Sequence, residues 1–108
     1  MTDEQRTLDD LQPIESIDRT IHAPARLMIL AYLSVVDCVD FVFLMNHTGL
    51  TRGNLSSHLS KLESAGYISV EKEFVDRIPR TLIRLSDKGK NAIETYRENM
   101  RQVIDNLL

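Results

Sequence analysis

Leu50-Thr51-Arg52-Gly53-Asn54-Leu55-Ser56-Ser57-His58-Leu59-Ser60-Lys61-Leu62-Glu63-Ser64-Ala65-Gly66-Tyr67 reads as one short helix with both ends marked. Thr51 suits an N-cap, because its hydroxyl can accept from the free amides of the first turn. Leu50 and Leu55 stand where a hydrophobic staple would fix the entry of the chain. Gly66 suits the left-handed residue that ends a helix. Leu55, Leu59 and Leu62 share one face at spacings of four and three.

The opposite face holds Gly53, Asn54, Ser57, Ser60, Lys61 and Ser64, with Ser56 and His58 at its edges. A solvated helix face is normally rich in Glu and Lys, which are good helix formers. Short hydroxyls and amides cost helix propensity. They do let a helix approach a surface closely and exchange hydrogen bonds with it, as a helix in a DNA major groove must. The same face would also suit an exposed helix with no partner, and this stretch alone does not separate the two.

Tyr67 to Phe74 alternates apolar and polar at first, as a half-buried strand does. Thr81 to Leu85 is a second strand-like run. Val75-Asp76-Arg77-Ile78-Pro79-Arg80 between them reads as a turn with a Pro and two arginines. A helix followed by a hairpin with a basic tip is the order of a winged helix-turn-helix. Residues of about 22 to 96 resemble the winged-helix regulators of the MarR/ArsR-like group, and most closely the small single-domain type. The resemblance rests on "LSSHLSKLESAGYI" (55–68), "PRT" (79–81) and "LSDKG" (85–89) occurring in that order. It implies a mainly α fold with a small β-hairpin, an α+β winged helix-turn-helix with extra N- and C-terminal helices for dimerisation. It also implies a homodimer binding double-stranded DNA to regulate transcription, with repression the commoner habit of the group. Winged helices also serve as protein-docking modules, which is the alternative function.

The formal net charge of −3 at first argues against nucleic acid, but its distribution matters more. Residues 1–50 carry three basic and eight acidic side chains, while 51–90 carry eight basic and five acidic. The basic surplus falls in the helix-plus-hairpin half. A local basic surface on an acidic protein can still hold phosphates, while the acidic remainder limits non-specific binding.

With 108 residues the chain should form a single winged-helix domain over 1–108. Its parts are an N-terminal helical extension (1–21), a winged-helix core (22–85) and a C-terminal dimerisation helix (86–108). In the extension Leu8, Leu11, Ile14, Ile17 and Ile21 recur every three or four residues, broken or restarted at Pro13. This stripe would pack on the domain core or on a second chain. Pro24 fits the first turn of a helix running to about Ser34. Val35 to Val39 is apolar and β-branched, so a very short strand pairing with the hairpin is expected there. Asp40 can cap a helix from Phe41 to about Asn46, anchored by Phe41, Leu44 and Met45 and ended by Gly49. The tight link to Leu50 gives helix-turn-helix geometry. Ser86 should cap a last helix from Asp87 to about Leu107. Its apolar positions Ile93, Tyr96, Met100, Val103 and Leu107 are spaced 3, 4, 3, 4, a heptad seam. That seam would pack on the same helix of a second chain, with Leu8 and Leu11 near the interface, or back on Leu8 to Ile21 of its own chain.

Other chemistry is sparse. His22, Cys38, His47 and His58 are scattered without metal-ligand spacing. The paired cysteines of some ArsR-like sensors cannot be reproduced by Cys38 alone, so no metal site and no cofactor is expected. No catalytic triad, paired catalytic carboxylates or phosphate-binding Gly loop is evident, which argues against an enzyme. The longest apolar run, Leu27 to Leu33, is too short to cross a bilayer. The polar start of the chain lacks the apolar core of a signal peptide, so a cytoplasmic location is the default. The DNA-binding set expected on the resemblance has three tiers. Asn54, Ser57 and Lys61 touch base edges or nearby phosphate. Thr51, Arg52, Ser56, His58 and Ser60 surround them, mostly on phosphate. Arg77 and Arg80 on the wing reach the minor groove or backbone. A small-molecule effector is left open.

Overall fold

The computed structural model describes residue 10 and residues 12–107. In chain order the elements are α1 (Gln12–Glu15), α2 (Pro24–Val35), β1 (Val39–Asp40), α3 (Phe41–Thr48), α4 (Arg52–Ser64), β2 (Ile68–Val75), β3 (Ile78–Leu85) and α5 (Asp87–Asp105). The sheet is antiparallel with strand order β1-β3-β2.

Local chemistry sets the helix ends. Asp40 accepts from the Phe43 N–H at 2.7 Å and starts α3. Thr51 Oγ1 accepts from the Asn54 N–H at 3.1 Å and starts α4, while Ser86 Oγ accepts from the Gly89 N–H at 2.9 Å and starts α5. Each cap satisfies an amide that the helix leaves without a partner. Gly49 at φ 74° and Gly66 at φ 80° take the left-handed conformation that turns the chain out of α3 and α4.

One core sits under these elements. Ile21, Ile29, Leu44, Leu55, Leu62 and Ile83 are fully buried. Each such side chain contributes roughly 1.5–3 kcal/mol on leaving water. Leu55, Leu59 and Leu62 all face inward, so the apolar stripe of α4 docks that helix and leaves its polar face outside.

Two expectations are corrected. The strand expected at Val35 to Val39 is only Val39–Asp40, because Val35 completes α2 with its side chain 84% exposed. The hairpin turn expected over Val75 to Arg80 contracts to Asp76 and Arg77, at φ 53° and 68°. Ile78, Pro79 and Arg80 belong to β3, paired with Val75, Phe74 and Glu73. Pro79 is tolerated there because β1 pairs with β3 only at Leu82 and Ile83, leaving the outer edge of that end free. In the N-terminal extension Pro13 stands in the first turn of the short α1, the restarted alternative of the expected stripe. The described part of that extension packs along α5 of its own chain. Asn106 Nδ2 donates to Asp10 O at 3.1 Å and Asn99 Nδ2 to Ser16 O at 3.5 Å. The expectations for Leu8 and Leu11 fall outside the described residues.

Candidate nucleic-acid interface

The polar face of α4 is uncommitted. Thr51, Arg52, Gly53, Asn54, Ser56, Ser57, Ser60 and Lys61 are exposed, and His58 is half-buried. Apart from the Thr51 cap, none of those hydroxyl, amide and ammonium groups has a side-chain hydrogen bond or ion pair among the described residues. Arg52 lies over the Phe41 ring at 5.2 Å, which ties the first turn of α4 to α3.

The two wing arginines are separated. Arg77 stands at the tip, exposed and without a carboxylate partner among the described residues. Arg80 lies further down β3 and donates through Nη1 to Asp40 Oδ2 at 2.8 Å. Since Asp40 also caps α3, this pair holds the base of the wing against the helix-turn-helix. Sequence reasoning missed it, because nothing local joins residues 40 positions apart.

On the other edge of α4, Arg26 of α2 donates through Nη1 to His58 Nδ1 at 3.1 Å. A guanidinium only donates, so Nδ1 accepts and the ring proton lies on Nε2. Burial, then the charges of Arg26 and Lys61, hold His58 below its ordinary value of 6.5. The unfolded chain therefore takes up this proton first as pH falls. The cost of protonating His58 is absent well above pH 6.5 and grows as pH falls through and below that value, so the contribution of this group to stability falls in that direction. The drop in melting temperature between about pH 7.5 and 5.5 should shrink in His58→Gln, and an unchanged drop would assign it to other groups.

Tyr67 follows α4 and donates its hydroxyl to Asp18 Oδ2. That bond, with burial and the charge of Asp18, pushes the Tyr67 hydroxyl up to about 12. The sequence expected Ile93, Tyr96, Met100, Val103 and Leu107 along one seam of α5. Tyr96 is buried, with its hydroxyl 2.8 Å from His22 Nδ1, and Ile93 and Met100 pack against the same core. Val103 is half-buried, while Ile104 and Leu107 are 58% and 62% exposed. Tyr96 therefore serves its own chain, Ile93 and Met100 are half-buried beside it, and the far end is the most open part of the seam.

The model of the winged helix DNA-binding domain family matches residues 25–104. The chain belongs to that family. The match spans α2 through nearly all of α5, the elements that build the winged helix. An uncharacterized protein of Methanocaldococcus jannaschii is 30% identical over 89 residues, 82% of this chain and 97% of its own. The transcriptional regulator homologue protein from Pyrococcus horikoshii is 30% identical, with a TM-score of 0.80 over 92% of this chain and 99% of that one. A MarR-family transcriptional regulator from Silicibacter pomeroyi shares the fold at 20% identity. Its TM-score is 0.61 over 89% of this chain and 64% of that one. This winged helix is thus a DNA-binding regulator fold and not an enzyme. No helix among the described residues is long and apolar enough to cross a membrane.

Proposed function

We propose that the chain is a homodimeric, sequence-specific transcriptional regulator that lays α4 in the major groove of double-stranded DNA. The observation that carries this is the uncommitted polar face of α4, docked on the core by its leucines and flanked by a wing with Arg77 at its tip. Asn54 and Ser57 meet base edges, with Asn suited to adenine. Lys61, Thr51, Arg52, Ser56 and Ser60 lie on or beside the phosphates, and Arg77 reaches the adjacent minor groove or backbone. The open end of α5, with Val103, Ile104 and Leu107, supplies the dimer contact. Two copies would read half-sites about 34–36 Å apart, one helical turn. Repression is the expected outcome, since an occupied operator blocks other proteins.

Selection from a random duplex pool tests this. Asn54→Ala should lose about 1–3 kcal/mol of discrimination at one base position while keeping most total binding. Arg77→Ala should weaken all sequences alike and reduce the salt slope by about one. A full-strength wild-type motif recovered with Asn54→Ala would remove that face of α4 from the groove. The second reading, a protein-docking winged helix, predicts that no duplex is enriched at all.

A further inference from the structure

Beside the proposed reading face lies a shallow, open cleft lined by Arg19, Thr20, Arg26, Ser60, Lys61 and Ser64. It brings three cations from three parts of the chain together, and no carboxylate lines it. Among the described residues none of the three has an ion-pair partner. The nearest acid in sequence, Asp18, is turned inward. Its Oδ1 accepts from the Thr20 and Ile21 N–H groups at 2.9 and 3.1 Å, and its Oδ2 from Tyr67. That turn holds Arg19 on the outside, exposed. Arg26 reaches back to donate to Thr20 O and to Arg19 O, so the cleft wall is braced by hydrogen bonds.

We propose that this cleft takes a phosphate of the DNA backbone, giving α4 a second phosphate-binding edge opposite the wing. The inference rests on the DNA-binding reading above and extends its contact set to Arg19 and Arg26. Two guanidinium groups and an ammonium with neighbouring hydroxyls have the chemistry that recognises phosphate. Position decides the source. Ser57, Lys61 and Ser64 follow one another along α4 at spacings of four and three, so the cleft wall continues the reading face. Arg52, on the other edge of α4, lines a separate cleft with Pro79 and Arg80 at the wing base. A helix seated in a major groove about 12 Å wide lies between two phosphate strands, and α4 carries cations along both edges. A shallow open cleft suits a backbone that runs past it, where an isolated small anion would want enclosure.

The test uses the full chain and a duplex recovered by wild-type selection from a random pool. Arg19 is the residue to change, because its side chain braces nothing among the described residues while Arg26 holds the turn. Arg19→Ala should lower affinity for every sequence and reduce the slope of log K against log salt by about 0.9. Arg19→Lys should restore the slope, and Arg19→Glu should weaken binding further. The selected motif should stay the same in all three. Phosphate ethylation interference should lose one position on the side of α4 away from the wing. Wild-type slope and interference in Arg19→Ala, with Asn54→Ala still losing discrimination in the same assay, would overturn the cleft and leave the DNA reading standing. If folded wild-type protein enriches no duplex, both fall together.

Discussion

Ile83→Ala lowers the free energy of unfolding by about 2–5 kcal/mol, the cost of a cavity left by a large buried aliphatic side chain. Ile83 is fully buried in the middle strand of the sheet, where it pairs with Val39 on one side and Val70 on the other. It therefore joins the strand that leads into α3 to the strands that make the wing. A protein of this size has only about 5–15 kcal/mol of stability, so the loss is a large fraction of the total. Chemical denaturation with an unchanged slope would report it as a shift of the midpoint. A loss below about 1 kcal/mol would mean that the sheet closes over the gap, and that wing and helix-turn-helix are less rigidly coupled than the packing implies.

Gly89→Ala is the second large effect, and its sign runs against helix propensity. In a helix interior Ala is ordinarily about 1 kcal/mol better than Gly. At Gly89 an added Cβ would stand 2.2 Å from Tyr67 O and 2.9 Å from Leu85 Cδ1. Tyr67 O cannot easily retreat, because it accepts from the Ser86 N–H at 3.0 Å. Ser86 is itself fixed, donating to Gly66 O at 2.6 Å while capping α5. The start of α5 is thereby clamped to the end of α4, and a methyl group between them must push one away. A destabilisation of about 1–3 kcal/mol is expected, as for overpacking in a core. Thermal melts of Gly89→Ala and Gly89→Ser read it. A gain in stability in Gly89→Ala would show that the two helices can separate without loss.

What the sequence made legible was local. Thr51, Asp40 and Ser86 were readable as caps because a cap acts over three residues. Gly49 and Gly66 were readable because few residues other than Gly take their φ. Leu55, Leu59 and Leu62 showed their buried face through spacing alone. The hairpin turn was misjudged because Asp76 and Arg77 hold positive φ without the Gly or Asn that usually marks it. Pro79 and Arg80 were drawn into the turn for the same reason. The contacts that shape the interface were invisible for a different cause. Arg80 with Asp40, Arg26 with His58 and Tyr67 with Asp18 join residues 40, 32 and 49 positions apart, and no periodicity encodes such pairs. The seam of α5 was read correctly as apolar. Its partner was undetermined, because an amphipathic stripe does not say whether its own chain or another covers it.

The measurement that bears most directly on the central claim is a mobility shift of wild-type protein with mixed genomic duplex fragments at two salt concentrations. Light scattering in the same buffer should give the oligomeric state. The account predicts a dimer that retains particular fragments and releases them as salt rises, because each phosphate contact returns counterions to solution. A folded protein that retains no fragment at low salt would contradict it and leave the winged helix as a module for docking another protein.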